Sequence, residues 1–224
     1  MDYPLKGLYA ITDKRLISRD RFIETVEKAL RGGAKIIQLR EKDTSEEEII
    51  RLGKGLLEVT RRYGVPLLIN DSPKLTREIG ADGVHLGRKD MEIFEARSLL
   101  GGEAIIGVSC YGEIERGLWA EREGADYVVF GTPFFTPTKP DRKPTPFEVL
   151  KEAKRRIIRI PVFAIGGITK ENAQSVLKTG VDGIAVITSI FDSPDPEGAA
   201  RSLAGLFEDG AISYENRGDP EDKR

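Results

Sequence analysis

Eight short apolar runs alternate with longer amphipathic segments along this chain. The runs are nearly continuous in Val, Ile and Leu, which is typical of parallel strands buried on both faces. The segments between them carry apolar residues at helical spacing, as in Phe22, Val26 and Leu30. This alternation predicts parallel strands joined by right-handed helical crossovers. The runs occupy residues 8–12, 35–40, 66–71, 83–87, 104–109, 127–131, 162–167 and 183–189.

The number of these units selects the architecture. Eight strand–helix units within residues 1–208 predict an α/β fold, namely a single (β/α)8 TIM barrel. A doubly wound open sheet is the alternative, although it usually has fewer than eight strands in this length. Residues 209–224 are polar and lack periodicity, so we expect them to form a disordered C-terminal tail.

A helix-ending glycine recurs in the phrases that precede several strands. The phrases are RGGAKI, REIGADGV, EREGADYV and LKTGVDGI. In each, the glycine is expected to end a helix before a short turn enters the next strand. The repeat is therefore an architectural signal and indicates no chemistry.

Charge and cysteine content narrow the class of partner. The net charge is −2 and basic residues are interleaved with acidic ones, so we expect neither nucleic acid nor membrane as partner. Cys110 is the single cysteine, which excludes an internal disulfide. No apolar stretch has the length of a signal peptide or a membrane span. We therefore expect a cytoplasmic enzyme or binding protein, with a homo-oligomer left open.

Polar residues cluster where the second predicted strand ends. Alternation places Gln38, Arg40 and Lys42 on one side of the chain if the strand stays extended. Two cations and an amide suit a diphosphate group, and a barrel carries its active site at these strand ends. A solvated charged loop is the alternative interpretation.

Two carboxylates follow the third and fourth predicted strands. Asp71 comes after Asn70, and Asp90 ends the stretch HLGRKD. Carboxylates without His or Cys ligands suit Mg²⁺, which commonly bridges them to phosphate oxygens. The alternative is helix N-capping, by Asp71 or Ser72 before one helix and by Asp90 before another.

No strong nucleophile or base is predicted among the remaining candidates. Ser109 ends the fifth strand, and an N-cap is its alternative role. His85 is the one histidine and lies inside the fourth strand, so we interpret it as a hydrogen-bonded structural residue. Cys110 is interpreted as inert packing.

A second anion site is predicted at strands seven and eight, and the long loop after strand six adds further polar side chains. The loop from Thr132 to Pro146 offers Thr136, Thr138 and Lys139. Gly166 and Gly167 end the seventh strand, and Ile187 and Thr188 lie near the end of the eighth, where barrels often bind phosphate. A plain glycine turn is the alternative. Two phosphorylated ligands in one barrel mouth suit a joining reaction with diphosphate as leaving group.

The order of these motifs resembles the thiamine-phosphate synthase family. YAITD, QLREK, LLIND, GADGVHLG with Asp90, GVS, TPTK and AIGGI occur in sequence over residues 7–208. Any one motif is common, but QLREK, ND, HLGxxD and TPTK together are specific. The resemblance implies that 4-amino-2-methyl-5-(diphosphooxymethyl)pyrimidine is joined to 4-methyl-5-(2-phosphooxyethyl)thiazole. The products would be thiamine phosphate and diphosphate, with one Mg²⁺ per active site.

The resemblance also implies roles for individual residues. Lys139, Arg40, Lys42 and Ser109 would be catalytic, and Asp71 and Asp90 would hold Mg²⁺. Thr188 stands where many members carry Ser, a change that a backbone N–H contact tolerates. The pyrimidine diphosphate would be bound by Gln38, Leu39, Arg40, Glu41, Lys42, Asn70, Ser109 and Lys139. The thiazole phosphate would be bound by Thr136, Pro137, Thr138, Gly167, Ile187 and Thr188.

The resemblance implies a dissociative reaction, which needs positioning and charge stabilisation instead of a protein nucleophile. One rival is a thiazole tautomerase, which tends to carry His at the position of Gln38 and to lack Asp90 and the Thr-x-Thr-Lys loop. A second is a non-catalytic thiamine-phosphate-binding relative, which could have lost these cations and carboxylates. A third, a sugar-phosphate isomerase barrel, needs an acid/base pair that the sequence does not offer.

Overall fold

Eight parallel strands form a closed barrel. The computed structural model describes residues 3–136 and 143–214, with side chains in the final helix as far as residue 207. Each strand pairs with the next, and the eighth pairs with the first, which confirms the predicted (β/α)8 fold. The strands are β1 Gly7–Ile11, β2 Ile36–Leu39, β3 Leu67–Asn70, β4 Gly83–Leu86, β5 Ile105–Tyr111, β6 Tyr127–Gly131, β7 Val162–Ile165 and β8 Gly183–Val186.

Helices connect the strands on the outside of the barrel. In the described residues a 3-10 turn at Arg19–Arg21 follows β1, and seven α-helices lie between consecutive strands: α1 Phe22–Arg31, α2 Glu46–Tyr63, α3 Pro73–Ile79, α4 Ile93–Leu100, α5 Ile114–Arg122, α6 Phe147–Arg156 and α7 Lys170–Leu177. Two follow β8, namely α8 Thr188–Phe191 and α9 Pro196–Tyr214. Helix α9 continues into the segment that the sequence assigns to a tail, and residues 215–224 lie outside the described part. No helix in the described ranges is long and apolar enough to cross a membrane.

Two apolar layers hold the barrel together. The larger layer lies between sheet and helices, where α1 buries Phe22, Val26 and Leu30 as the spacing predicts. The smaller layer fills the inside of the barrel. There the ring of Tyr127 lies with its centroid 5.9 Å from that of Tyr9 and 5.5 Å from that of Phe163. Because β1 and β6 are not neighbours in the sheet, these rings meet across the barrel interior.

The recurring glycine phrases fix the amino ends of the strands. Gly33, Gly80, Gly124 and Gly180 all have positive φ, as expected of residues that end helices. Two residues after three of these glycines stands an aspartate. Its carboxylate accepts a hydrogen bond from a backbone N–H at the start of the neighbouring strand that comes earlier in the chain. The bonds join Asp82 to Leu67 at 2.8 Å, Asp126 to Ile106 at 2.7 Å and Asp182 to Val162 at 2.7 Å.

The last strand is shorter than the sequence predicts. The apolar run 183–189 predicts one strand, but β8 ends at Val186 and Thr188 begins the short helix α8. Ile187 leaves the extended conformation, with φ −120° and ψ −78°. The strand prediction is therefore wrong for Thr188 and Ser189, because apolar character alone cannot locate this turn.

Candidate active site

A large cavity opens at the carboxyl ends of the strands. Its volume is about 990 Å³, which is within the range of ligand sites. Residues from all eight strands line it, so it occupies the position predicted for the site. Predicted site residues on its wall are Gln38, Arg40, Asn70, Ser109, Thr136, Gly167, Ile187 and Thr188.

The β2 side of the cavity carries an amide and a cation. Gln38 and Arg40 both line it, as the alternation predicts. Lys42 lies beyond the end of β2 and turns towards Asp71, with its Nζ 3.5 Å from that carboxylate. Leu39 has its side chain in the core between sheet and helices, so any ligand contact would use its backbone.

Two buried acidic residues hold this loop in place. Arg40 lies 3.5 Å from the Asp13 carboxylate, and its backbone N–H donates to Thr12 Oγ1 at 2.9 Å. The Glu41 side chain is buried and forms a 2.7 Å ion pair with Arg19. Burial raises the pKa of Glu41, and Arg19 opposes that shift. Glu41 is thus a structural anchor here and does not line the cavity.

The two predicted metal ligands lie together at the ends of β3 and β4. Asp71 has φ 64°, a left-handed conformation, and its N–H donates to the His85 carbonyl at 2.8 Å. Asp90 accepts the Gly87 N–H at 2.6 Å. Burial raises the pKa of Asp90, and the hydrogen-bonded, like-charged Asp71 raises it further. The carboxyl groups of Asp71 and Asp90 therefore lie next to each other and near Lys42, as expected of the two predicted metal ligands.

Helix capping does not explain these aspartates. The cap of α3 is Ser72, whose hydroxyl accepts the Leu75 N–H at 3.2 Å. The cap residue of α4 is Glu92. The capping interpretation is therefore wrong for both Asp71 and Asp90.

The donor set at this pair suits magnesium. Within residues 3–136 and 143–214, no three His, Cys, Asp or Glu side chains gather as a closed metal cage. Mg²⁺ fits such a pair because it keeps several waters and binds through one or two carboxylates plus phosphate oxygens. Asp71 and Asp90 are the residues that would hold it.

The β7–β8 side of the cavity includes two consecutive glycines. Gly166, Gly167, Ile187 and Thr188 contribute to the wall. Gly167 has φ 62°, and a Cβ there would lie 2.0 Å from the Phe135 carbonyl oxygen. Only glycine fits this position without moving the chain, and backbone N–H groups can approach an anion there. Pro137, Thr138 and Lys139 fall outside the described residues.

Aromatic hydroxyls missed by the sequence analysis lie beneath the cavity. Tyr9 and Tyr127 belong to runs interpreted as apolar strands, yet their hydroxyls lie 2.9 Å apart in the barrel interior. A tyrosine in a buried strand signals such a site because its O–H needs a partner. Burial raises the pKa of both phenols, so both stay neutral.

His85 and Ser109 are closer than the sequence suggests. His85 Nε2 lies 2.9 Å from Ser109 Oγ, and its Nδ1 lies 3.0 Å from the Tyr127 hydroxyl. The hydrogen-bonded structural role predicted for His85 is confirmed, and the N-cap interpretation of Ser109 is wrong. A nucleophilic triad would have a carboxylate where Tyr127 stands. Cys110 is buried, which raises its pKa to about 12, so it is inert packing as predicted.

Comparison with known proteins gives one consistent family. The family described as thiamine monophosphate synthase matches residues 8–190. The chain is 45% identical to a thiamine-phosphate synthase of Methylococcus capsulatus over 92% of either chain. It is 48% identical to one of Clostridium novyi, over 89% of this chain and 97% of the relative.

A solved structure agrees with these sequence relatives. The thiamine phosphate pyrophosphorylase from Pyrococcus furiosus superposes with a TM-score of 0.83 and is 40% identical. The match covers 91% of this chain and 96% of that one. The chain described above, a closed barrel with one cavity at the carboxyl ends of its strands, belongs to the thiamine monophosphate synthase family.

Proposed function

We propose that this protein is a Mg²⁺-dependent thiamine-phosphate synthase. It joins 4-amino-2-methyl-5-(diphosphooxymethyl)pyrimidine to 4-methyl-5-(2-phosphooxyethyl)thiazole and releases diphosphate. The observation that carries the proposal is a cavity whose two sides differ in chemistry. Gln38 and Arg40 lie on one side, and the glycine-rich wall at Gly167 and Thr188 lies on the other.

In this proposal the chain's own residues act on charge and position. The bond from the pyrimidine methylene to the diphosphate oxygen breaks, and the thiazole nitrogen then forms the new bond to that carbon. Arg40 and Lys42 stabilise the negative charge that develops on the departing diphosphate. Asp71 and Asp90 would hold Mg²⁺, which supplies further positive charge at that leaving group when bound.

The remaining predicted residues align the two reactants. Gln38, Asn70 and Ser109 face the pyrimidine, and Gly167, Ile187 and Thr188 hold the thiazole phosphate through backbone groups. Alignment of this kind converts a bimolecular reaction into an effectively unimolecular one. Lys139 and Thr138 complete the set, as the family resemblance implies.

Turnover of the purified protein tests the proposal directly. The protein is mixed with both phosphorylated precursors, with and without Mg²⁺, and diphosphate and thiamine phosphate are measured. We expect both products in equal amounts, only with Mg²⁺ and only with both substrates. A tautomerase would release no diphosphate, and a silent binding relative would form neither product.

Variants separate catalytic charge from general surface charge. Lys139→Ala and Lys42→Ala should each lower kcat by about 100-fold, since each removes a cation beside the leaving group. Lys54→Ala, an exposed residue of α2, is the control and should turn over normally. Near-normal turnover in Lys139→Ala and Lys42→Ala would contradict the assignment.

A cytoplasmic location is part of the proposal and rests on the biosynthetic role. Cell fractionation followed by the diphosphate assay tests it, and activity recovered with membranes would contradict it.

A further inference from the structure

The guanidinium group of Arg116 joins the carboxyl ends of β4 and β5. Arg116 lies near the start of α5, and its Nε donates to the Ser109 carbonyl at 2.8 Å. Its Nη2 donates to the Gly87 carbonyl at 3.2 Å. The pairing of β4 with β5 ends one residue earlier, at Leu86 and Val108. Arg116 therefore ties the two strands together just beyond their last paired residues.

Both residues that Arg116 holds belong to the candidate site. The Gly87 N–H donates to Asp90 Oδ2 at 2.6 Å, so Gly87 is bound by Arg116 through its carbonyl and binds Asp90 through its N–H. A Cβ on Gly87 would lie 3.0 Å from the same carboxylate oxygen, which shows how closely Asp90 approaches this backbone. Ser109 lines the large cavity, and its hydroxyl lies 2.9 Å from His85 Nε2. One guanidinium group thus fixes the backbone at two neighbouring points of the site.

The Arg116 side chain is itself held in place by Trp119. The guanidinium carbon lies 5.3 Å from the centroid of the indole ring, one helical turn further along α5. A cation over an indole face is attracted by the ring quadrupole, and Trp119 packs against the core between sheet and helices. Arg116 and Asp90 also line one small cavity of about 20 Å³. Among the described residues Arg116 does not line the large cavity, so it reaches the site through backbone groups.

We propose that Arg116 is a positioning residue that sets the Mg²⁺ affinity of the Asp71–Asp90 pair. Two carboxylates that share one ion repel each other until the ion is bound. Arg116 resists that repulsion, because it fixes Gly87 and the Gly87 N–H holds Asp90. Removing a group that orients a metal ligand commonly costs about 10–100-fold in metal affinity or activity. The inference rests on the proposed function, because it takes Mg²⁺ as the ion.

Arg97 provides a matched comparison at the opposite end of the barrel. It lies in α4, is half-buried like Arg116, and donates to the Ala104 and Gly124 carbonyls and to the Asp126 carboxylate. Ala104 directly precedes β5, and Gly124 lies shortly before β6, so these contacts are at the amino ends of the strands. Both arginines hold backbone carbonyls of neighbouring segments, but only Arg116 does so beside the Asp71–Asp90 pair.

Metal binding by the full-length protein tests this role without turnover. Mn²⁺ is the probe in place of Mg²⁺, because the electron paramagnetic resonance signal of free Mn²⁺ weakens on binding. We expect Arg116→Ala to raise the Mn²⁺ dissociation constant about tenfold or more. Arg116→Lys keeps the charge but loses the fork of donors, so it should raise the constant less. Wild-type Mn²⁺ affinity in Arg116→Ala overturns the proposal.

The control variant is Arg97→Ala. It should lower the free energy of unfolding, because it removes a guanidinium group that holds two carbonyls and a carboxylate. Its Mn²⁺ dissociation constant should stay at the wild-type value. An equal loss of Mn²⁺ affinity in Arg97→Ala and Arg116→Ala would mean that general destabilisation is responsible, and would contradict the proposal.

Turnover gives a second readout, which separates positioning from partial unfolding. In Arg116→Ala the Mg²⁺ concentration for half-maximal rate should rise about tenfold, because the metal site is less well ordered. At saturating Mg²⁺ kcat should return close to the wild-type value, since Asp90 itself is still present. A lower kcat at saturating Mg²⁺, with an unchanged half-maximal concentration, counts against the positioning role.

A double variant shows whether Arg116 acts through Asp90. Residues that act as one unit have non-additive effects. At a fixed, subsaturating Mg²⁺ concentration, Arg116→Ala should therefore slow the wild type but hardly slow Asp90→Asn any further. The same additional loss in both backgrounds would show that Arg116 acts by another route.

The two proposals fail separately. A wild-type protein that releases no diphosphate from the two precursors refutes the proposed function. A wild-type protein that turns over and binds Mn²⁺, with the same Mn²⁺ affinity in Arg116→Ala, refutes the role of Arg116 alone.

Discussion

At the scale of single residues, the backbone of Asp71 is held in a left-handed conformation beside Asp90. Asn accepts positive φ well, so Asp71→Asn removes the charge while keeping the backbone. We expect kcat with Mg²⁺ to fall by at least about 100-fold, because a ligand of the proposed metal is lost. The free energy of unfolding without metal should change by less than about 1 kcal/mol, since a repulsion is relieved too.

A matched residue checks that result. Asp43 is exposed and has φ 56°, so Asp43→Asn makes the same chemical change in the same backbone conformation. Steady-state kinetics and urea unfolding of both variants should show the activity loss in Asp71→Asn alone. Equal losses in both would mean that the backbone, and not the metal ligand, is responsible.

A second residue-scale prediction concerns Asp13. Arg15 holds the pKa of Asp13 below its ordinary value, and Arg40 adds to the effect. Because the folded pKa is the lower one, the ionised carboxylate stabilises the fold above about pH 3.9, and this contribution is lost as the pH falls through the lowered value. Urea unfolding of the wild type should therefore lose more stability between pH 6 and pH 2.5 than Asp13→Asn. Parallel curves would contradict the prediction.

The residues that could be predicted are polar side chains that stand at the ends of apolar runs. Gln38, Arg40, Asn70 and Ser109 follow from polar character at strand ends. Tyr9 and Tyr127 were missed although a buried tyrosine signals a polar partner, because an apolar run does not tell which ring faces the barrel interior. Arg88, Tyr111 and Lys143 also line the cavity and were missed, since loop geometry decides where their side chains point.

At the scale of elements, the aspartates beside the helix-ending glycines tie strand to strand. Asp182 accepts the Val162 N–H at 2.7 Å and pairs with Lys154 at 2.6 Å. Asp182→Ala should lower the free energy of unfolding by about 1–3 kcal/mol, because a buried N–H loses its partner. Turnover should stay normal, since this end of β7 is opposite the cavity.

Chemical denaturation with an activity assay tests that separation. Glu123→Ala, an exposed position, serves as the control and should change neither stability nor rate. An Asp182→Ala protein of wild-type stability, or one that loses kcat but not stability, would contradict this prediction. It would mean that the amino ends of the strands do not serve stability alone.

The positions of helices and strands could be predicted where one sequence feature, such as a continuous apolar run, is stronger than the others. The strands were located within a few residues because buried parallel strands are continuously apolar and glycine ends several of the preceding helices. The end of β8 was missed because Ile187 and Thr188 keep the apolar and β-branched character while the chain turns into α8. The register shift in β5 between Ser109 and Tyr111 also left no trace in hydrophobicity.

At the scale of the whole molecule, we expect the barrel to fold without ligands and to gain stability when the proposed ligands bind. A ligand that binds only the folded state adds about 2.7 kcal/mol at a hundred times its dissociation constant. Thermal melting with Mg²⁺ and the pyrimidine diphosphate should therefore show a raised Tm. Removing Mg²⁺ with a chelator should return the Tm to that of the apo protein without unfolding it. Asp71→Asn should show no response to Mg²⁺.

The aromatic layer of Tyr9, Tyr127 and Phe163 seals the barrel interior below the cavity. All three side chains are fully buried, so in the described part of the chain this layer closes the barrel beneath the cavity. A ligand that reaches Tyr9 therefore exchanges with solvent through the opening at the carboxyl ends of the strands.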